Sequence, residues 1–284
     1  MKNLDHIFNE IFEINKDYNV VKCESCGFHH VHPYPKDDFL DNFYSMEYKD
    51  ELKKINLSEK VKRICNMTEG KNILDVGCGE GDLLTEFKKE GFNVYGLEPS
   101  IESVKECEKK GLNVKQGMLG SNMFNKKFDF VNLSFVLEHI PNPSDVLNVI
   151  KRDFLKEGGY IIIEVPNDFS FLQQCYSEYN KESPYWIHFP DHLNYWNFNT
   201  FIPFIEKLGF EIVYKTSSFP LEIFLLMGED YIKNKELGKK AHYKRVEFEK
   251  RLKEIGYGEK IFKIYEKLSE LNIGREIHLV AKSL

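Results

Sequence analysis

The stretch Ile73-Leu-Asp-Val-Gly-Cys-Gly-Glu-Gly-Asp-Leu-Leu84 decides the fold, because it combines a buried strand, a glycine turn and the start of a helix. Residues 72–76 are mostly apolar and include β-branched side chains, which predicts the strand. Three alternate glycines let the backbone turn sharply and approach a ligand, namely Gly77, Gly79 and Gly81. Apolar residues at helical spacing follow, namely Leu83, Leu84 and Phe87. This arrangement predicts a site that holds a nucleoside.

A second acidic strand end lies about one βα unit downstream, at Gly96-Leu-Glu98-Pro-Ser100. A doubly wound fold places a ribose-binding carboxylate at this point. A dinucleotide fold would require the pattern G-x-G-x-x-G, but its third glycine would fall on Asp82. The carboxylates around the turn would repel a pyrophosphate and would not repel a sulfonium cation. The loop therefore argues against an NAD-dependent oxidoreductase.

The pattern Asp75-x-Gly77-x-Gly79-x-Gly81 resembles motif I of the class I S-adenosylmethionine-dependent methyltransferases. The segment 135–141, Phe-Val-Leu-Glu-His-Ile-Pro, is similar to the one that follows strand four in that family. The resemblance implies S-adenosylmethionine as the cofactor, with Glu98 on its ribose. The cofactor residues that it implies are Asp75, Gly77, Cys78, Gly79, Gly81, Glu98, Pro99, Gly117, Met118, Ser134 and Tyr48. Met118 stands where the family tends to carry an acidic residue, so adenine recognition there would depend on backbone and apolar contacts.

Strands and helices alternate from Lys71 onward, which predicts an α/β fold with a mostly parallel sheet covered by helices on both faces. The resemblance implies a Rossmann-like sheet of seven strands with an antiparallel last strand. We divide the chain into an N-terminal cap over residues 1–60 and a methyltransferase domain over residues 61–284. A helical insertion over residues 220–274 precedes the last strand. It could shape the acceptor pocket, form a homodimer contact or be a solvated helical pair.

Local patterns predict three further boundaries. Residues 1–18 are expected to form a short helix, because apolar side chains recur at Leu4, Ile7, Phe8, Ile11 and Phe12. Residues 37–67 are also expected to be helical. The helix capped by Asn142 is expected to end at the glycine pair 158–159, with the fifth strand over residues 160–166.

The cap contains a turn, Cys23-Glu-Ser-Cys26-Gly, between two β-rich arms, which is the shape of a zinc knuckle. A knuckle supplies two thiolates, whereas a closed structural zinc site needs four ligands. His29, His30 or His32 would have to complete the site. The segment resembles the N-terminal zinc ribbon of some sugar-modifying methyltransferases, which usually carry a second cysteine pair. Because that pair is absent here, we predict no tightly bound zinc and no other metal.

The composition limits which binding partners and which cellular compartment we expect for the protein. The 284 residues carry a formal net charge of -6 without a basic patch, so we expect no nucleic-acid partner. No apolar run approaches the roughly 18 residues that a membrane span needs. The N-terminus lacks the pattern of a secretory signal. We therefore expect a cytoplasmic protein whose six cysteines are free thiols.

Methyl transfer to an alcohol needs a base, whereas transfer to a neutral amine does not. His192 is the first candidate because it lies in a loop dense in polar and aromatic residues after the fifth strand, and His139 is the second. The residues of that loop expected to bind the acceptor are Tyr185, His188, Asp191, Asn194 and Tyr195. Aromatic faces and directional hydrogen-bonding groups of this kind suit a sugar or another polyhydroxyl ligand. His188, Asp191 and His192 would also have the chemistry of metal ligands.

The resulting hypothesis is an S-adenosylmethionine-dependent O-methyltransferase. Its acceptor would be a sugar, a nucleotide sugar or a phosphorylated precursor of a surface glycan, and this last step depends on the resemblance of the cap and fold alone. A second hypothesis is N-methylation of an amino sugar or phosphorylated amine. Two others are a nucleic-acid-directed protein that uses its Cys-x-x-Cys knuckle and a noncatalytic S-adenosylmethionine-binding protein.

Overall fold

The computed structural model describes residues 6–35, 57–65, 67, 69–120, 123–181 and 183–284. Its strands are β1 (Phe8–Glu13), β2 (Asn19–Cys23), β3 (Phe28–His32), β4 (Asn72–Val76), β5 (Asn93–Glu98), β6 (Asn113–Gln116), β7 (Phe128–Ser134), β8 (Leu155–Pro166), β9 (Asn194–Tyr195), β10 (Phe210–Ser217) and β11 (Glu276–Ser283). Its α-helices are α1 (Leu57–Cys65), α2 (Asp82–Lys89), α3 (Ile101–Lys109), α4 (Pro143–Val149), α5 (Phe171–Asn180), α6 (Phe198–Lys207), α7 (Glu222–Leu226), α8 (Lys235–Glu254) and α9 (Gly258–Glu270). A short 3-10 helix covers Leu137–His139.

The main sheet has seven strands in the order β10-β11-β8-β7-β4-β5-β6. The five strands from β8 to β6 in this order run parallel, and β11 runs antiparallel to both of its neighbours. This arrangement confirms the predicted Rossmann-like, mostly parallel sheet with an antiparallel last strand. It also places the carboxyl ends of β4, β5, β7 and β8 along one edge, where open α/β sheets bind their ligands.

The two faces of the sheet form two separate apolar clusters. Successive side chains of a strand point to opposite faces, so Ile73 lies in one cluster and its neighbour Leu74 lies in the other. Residues of α4 and α6 cover the face of Leu74, and residues of α1, α2 and α3 cover the face of Ile73. The prediction of helices on both faces is therefore confirmed, and the buried strands are apolar on both sides as a covered parallel sheet requires.

A second sheet, antiparallel, joins the N-terminal strands to a distant loop in the order β1-β2-β3-β9. In the register of its last pair, His30 of β3 lies opposite Asn194 of β9. Phe28 of β3 is buried between the rings of Trp196 and Phe204, at centroid distances of 5.0 and 5.3 Å. The predicted cap is thus continuous with the loop that was expected to bind the acceptor.

The predicted helix over residues 1–18 is wrong, because the described part of that segment contains the strand β1. Its apolar residues recur at a helical spacing, but Ile7 and Ile11 are 59% and 62% exposed and so line no core. Phe8 and Phe12 are half-buried. Main-chain pairing with β2 decides the conformation here, and this nonlocal interaction overrides the local pattern.

The fifth parallel strand also begins earlier than predicted. Helix α4 ends at Val149, one wider helical turn follows over Ile150–Phe154, and β8 begins at Leu155 instead of residue 160. Gly158, with φ of 65°, lies where the pairing with β7 is irregular. The glycine pair therefore marks a bulge within a strand and not the end of a helix.

The insertion before β11 is helical as predicted, and its two longest helices are α8 and α9. They pack on each other through the Tyr265 hydroxyl, which donates to Glu249 at 2.9 Å. Tyr214 of β10 donates to Glu266 of α9 at 3.0 Å, so the pair lies along the β10 side of the sheet. None of the helices in the described parts of the chain combines the length and the apolar character needed to cross a bilayer.

His278 of β11 pairs with a carboxylate of the neighbouring strand β8, and this ion pair is expected to make the stability of the fold depend on pH. His278 lies 2.5 Å from Glu164 and 3.3 Å from Glu276. Burial lowers the pKa of His278, but these two carboxylates outweigh burial and raise it from 6.5 to about 9. The protonated form therefore stabilises the fold fully below about pH 6.5, and this contribution is lost as the pH rises through about 9.

We therefore expect the free energy of unfolding to fall between about pH 6.5 and 9, with His278 contributing a slope of up to about 1.4 kcal/mol per pH unit. Denaturant unfolding at several pH values, compared between the parent and His278→Gln, isolates this part of the slope. A variant that keeps the parent's full pH dependence would contradict the assignment.

Candidate active site

The glycine loop after β4 adopts the left-handed conformation that its sequence predicted. The φ angles of Gly77, Gly79 and Gly81 are 71°, 51° and 77°, which side chains other than glycine rarely adopt. A Cβ on Gly81 would lie 2.4 Å from the side chain of Leu112 and 2.9 Å from that of Cys107, so the turn has no room for a side chain there. A Cβ on Gly79 would meet no atom within 4 Å. The backbone at Gly79 therefore faces open space, where a ligand can approach it closely.

Glu98, at the end of β5, is hydrogen-bonded to this glycine loop. Its carboxylate accepts hydrogen bonds from the backbone N–H of Gly79 at 2.8 Å and of Ser100 at 2.9 Å. The structure thus brings together the two elements that were predicted to hold a nucleoside. Glu98 is itself 7% exposed. A carboxylate has about four acceptor positions, so these two backbone groups leave two positions for other donors such as ribose hydroxyls.

Asp75 and Cys78 are placed inside the protein and not on the crevice surface. Asp75 is 3% exposed and accepts a hydrogen bond from the side-chain amide of Asn132 at 2.6 Å. Ser134 donates in turn to the Asn132 carbonyl oxygen at 3.2 Å. Cys78 is buried against Gly96. The side chains of Asp75 and Asn132 hold β4 and β7 in register, and they support the loop from below.

Sequence reasoning missed Asn132, although the signal was present. An amide within the otherwise apolar run Phe128–Ser134 must find a partner once it is buried, and Asp75 lies directly opposite it in the register of β4 and β7.

The rim of the crevice is formed by the predicted residues after β5 and β6. The backbone N–H of Gly117 donates to the Glu98 carbonyl at 3.0 Å, which ties the two strand ends together. Pro99 is exposed and Met118 is 65% exposed, so both offer apolar surface beside Glu98. Tyr48, the remaining predicted cofactor residue, lies outside the described residues.

The segment after β7 connects the glycine loop to the candidate bases. Phe135 has φ of 56°, an unfavourable conformation for a residue with a side chain. A Cβ on Gly77 would lie only 2.9 Å from Val136, so this segment packs directly against the loop. The short 3-10 helix that follows places Glu138 inside the protein and His139 at the surface of the crevice.

His139 forms an ion pair with Asp191. Its Nδ1 lies 3.3 Å from the Asp191 carboxylate and 2.7 Å from the Asp191 carbonyl oxygen. Burial lowers the pKa of His139, but hydrogen bonding to Asp191 and the charges of Glu138 and Asp191 outweigh burial and raise it to about 9. His139 is therefore protonated at neutral pH, which argues against it as the base there.

His192 lies beside this ion pair. Its ring is 5.2 Å from the ring of His139 between centroids, and its Nε2 is 3.7 Å from the Asp191 carboxylate. The backbone N–H of His192 donates to the His188 carbonyl at 2.8 Å, and the ring of exposed His188 lies 5.6 Å away. Three predicted residues, His139, Asp191 and His192, thus form one cluster with His188 at its edge.

This cluster also has the spacing of a cation site. One ligand atom from each of Glu138, His139 and His192 lies within 4.8 Å of the others. Carboxylate and imidazole ligands suit several divalent metals, so a metal ion here is compatible with the arrangement.

Two of the residues predicted to bind the acceptor are buried and form hydrogen bonds within the protein. Asn194 is 0% exposed, donates to the carbonyls of Leu137 and Ile140 at 3.0 and 2.7 Å, and accepts from the Tyr34 hydroxyl at 2.7 Å. Tyr195 is also 0% exposed, and its hydroxyl donates to the His192 carbonyl at 2.8 Å. Neither has side-chain surface to offer an acceptor, so both position the histidines.

Tyr185 belongs to a buried polar group that sequence reasoning did not find. Its hydroxyl lies 3.4 Å from Glu222, which also pairs with Arg275 at 3.2 Å. Asp168, two residues beyond β8, is 4% exposed, and burial raises its pKa well above the usual range. The strand-end rule could have identified Asp168. Glu222 comes from the distant insertion, and Arg275 directly precedes the last strand.

The fold and this crevice define a class of protein, the nucleoside-binding α/β enzymes that act at the carboxyl edge of a parallel sheet. A methyltransferase domain family matches residues 48–215, which is more than half of the chain. The chain belongs to that family, the class I S-adenosylmethionine-dependent methyltransferases. Its cofactor is S-adenosylmethionine. The open approach to Gly79 and the acceptor positions left on Glu98 fit this cofactor.

Individual relatives and a solved structure are similar to this chain. An uncharacterized protein of Methanocaldococcus jannaschii is 31% identical over 178 residues, which cover 62% of this chain and 78% of that protein. A ubiquinone biosynthesis O-methyltransferase of Actinobacillus pleuropneumoniae is 30% identical over 119 residues, or 38% of this chain and 50% of that enzyme. The crystal structure of a SAM dependent methyltransferase from Archaeoglobus fulgidus shares the fold, with a TM-score of 0.51, 20% identity and coverage of 87% of this chain and all of that one.

Proposed function

We propose that this methyltransferase transfers its methyl group to a hydroxyl of a small polar acceptor, such as a sugar, a nucleotide sugar or a phosphorylated precursor of a surface glycan. The observation that carries the proposal is the cluster of His139, Asp191 and His192. It lies at the carboxyl edge of the sheet, and the segment 135–139 connects it directly to the glycine loop.

In this proposal, the residues of the glycine loop and those of the histidine cluster have different roles. When bound, S-adenosylmethionine supplies a methyl group on a positively charged sulfur. Gly79 and Glu98 would hold the nucleoside, and the loop that contains His192 would hold the acceptor. His192 would orient the acceptor hydroxyl and take its proton, so that the oxygen can accept the methyl group that the cofactor would supply. The protonated His139, paired with Asp191, keeps the loop in place.

Two further facts support a hydroxyl acceptor of this class. The related ubiquinone biosynthesis enzyme is an O-methyltransferase by name, although this chain spans only half of its length. The loop around His192 also presents imidazole and carboxylate groups at the crevice, beside the half-buried aromatic residue Phe189. Groups of this kind provide the directional hydrogen bonds and ring faces that polyhydroxyl ligands require.

A screen of labelled methyl transfer tests the proposal. The purified chain would be incubated with labelled S-adenosylmethionine and pairs of acceptors that differ at one position only, each pair a sugar phosphate or nucleotide sugar and its amino-sugar counterpart. We expect the hydroxyl member to be labelled, as an ether, with the amine not required. Label found only on the amines would contradict O-methylation and support the N-methyltransferase alternative.

A further inference from the structure

The Cys-x-x-Cys turn of the N-terminal sheet has the backbone geometry of a metal knuckle. Cys23 ends β2, Cys26 lies in the turn, and Gly27 has φ of 83°. The backbone N–H of Gly27 donates to the Cys23 carbonyl at 2.9 Å, and that of Cys26 lies 3.4 Å from the Cys23 sulfur. Both sulfur atoms therefore face the same side of the turn.

The ring of His6 lies beside both sulfur atoms. The Nδ1 of His6 lies 3.3 Å from the sulfur of Cys23 and 3.6 Å from that of Cys26. The pairing of β1 with β2 places it there, because Phe8 lies opposite Cys23 in the register of the two strands. No sequence spacing signals this contact, since His6 and Cys23 are 17 residues apart.

His30 of β3 completes the group from inside the protein. It is 0% exposed, and its Nδ1 lies 2.8 Å from the Val31 carbonyl, so this nitrogen carries the proton and donates it. The lone pair is then on Nε2, which has no hydrogen-bond partner among the described residues. A buried acceptor without a partner is unfavourable. A carbonyl that fixes the tautomer of a histidine is also the usual support of a metal ligand.

One ligand atom from each of His6, Cys23, Cys26 and His30 lies within 4.8 Å of the others. Zinc bonds of about 2.3 Å to sulfur and 2.0–2.1 Å to nitrogen give a tetrahedron whose ligand atoms are roughly 3.3–3.8 Å apart. The two distances from His6 to the sulfurs, 3.3 and 3.6 Å, already lie in this range.

We propose that these four residues bind one Zn²⁺ ion as a closed structural site. Two thiolates and two imidazoles in a tetrahedron favour zinc, and a site with four protein ligands leaves no position for substrate. The prediction of no tightly bound zinc counted one cysteine pair and asked whether His29, His30 or His32 could complete it. The fold brings His30 into the group and adds His6, which directly precedes β1 in a segment that the sequence had indicated as a helix.

The position of the site suggests what the metal stabilises. His30 lies opposite Asn194 in the register of β3 and β9, and the Val31 N–H donates to the Leu193 carbonyl at 2.8 Å. A metal bound to His30 therefore connects β1 and the β2–β3 turn to the loop that contains His192.

Metal analysis of the untagged full chain, purified without chelator, tests the proposal. We expect about one zinc per chain in the parent and almost none in Cys26→Ser. Two matched controls should retain the metal. They are His32→Gln, whose ring lies 6.4 Å from that of His30 but outside the ligand group, and Cys175→Ser, a thiol on helix α5. A metal-free parent, or zinc that survives Cys26→Ser, would overturn the proposal.

A second measurement keeps the test valid if Cys26→Ser does not fold. His6 is half-buried and lies two residues before β1, so His6→Gln should fold and should lose zinc to a chelator at least about tenfold faster than the parent. X-ray absorption of the zinc-loaded parent should show two sulfur and two nitrogen ligands. A shell without sulfur would place the metal elsewhere, for example at Glu138, His139 and His192, and would also overturn the proposal.

Discussion

Replacing His192 by alanine is expected to lower turnover of the complex with both substrates by about 100- to 10,000-fold, which is the usual contribution of a general base. His139 cannot substitute for it at neutral pH, because its pair with Asp191 raises its pKa to about 9. The affinity for S-adenosylmethionine should stay nearly unchanged, since Gly79 and Glu98 lie on the other side of the crevice.

Single-turnover kinetics with an acceptor found in the labelling screen would measure this effect, and thermal unfolding would show whether the variant remains folded. His242→Ala is a matched control, because His242 lies on α8 of the insertion, where its ring contacts Arg245 of the same helix. His139→Ala is expected to act differently and to reduce stability through the loss of the ion pair with Asp191. Turnover of His192→Ala within a few-fold of the parent would exclude His192 as the base and favour N-methylation or catalysis by alignment alone.

The parts of the fold that sequence predicted correctly are those with a local signal. The run from residue 72 to 87 contains its own strand, turn and helix, and the left-handed glycines are the ones that the turn requires. Glu98 could be placed opposite Gly79 because the strand-end rule applies to any doubly wound sheet. The helical insertion was also predicted, because charged residues are interleaved in a helical pattern over residues 235–255 and 259–272.

The parts that were missed depend on contacts between distant segments. Residues 8–13 became a strand because β2 pairs with them, and no property of the segment itself required this. Asn194 and Tyr195 were assigned to the acceptor for their polar groups, but β3 takes them into a sheet and turns those groups inward. The partner of Asp75 and the ligand group around His6 likewise appear only once strands are placed side by side.

Replacing Glu98 by alanine is expected to weaken binding of S-adenosylmethionine by roughly 10- to 150-fold for each ribose hydroxyl that the carboxylate accepts. This corresponds to about 1.5–3 kcal/mol for a hydrogen bond to a charged group. The same change leaves the backbone N–H groups of Gly79 and Ser100 without their acceptor, so the loop should also become less ordered. Both the lost ribose hydrogen bonds and the less ordered loop weaken binding of S-adenosylmethionine. The effect on the loop must therefore be measured separately.

Calorimetric titration with S-adenosylmethionine, after thermal unfolding has shown that each variant is folded, separates them. Glu98→Gln should be intermediate, because it keeps one side-chain oxygen as an acceptor and loses the negative charge. Glu102→Ala removes an equal charge from the neighbouring first turn of α3 and should bind like the parent. If folded Glu98→Ala binds S-adenosylmethionine as tightly as the parent, the carboxylate only fixes the glycine loop, and the ribose must be held by another part of the crevice.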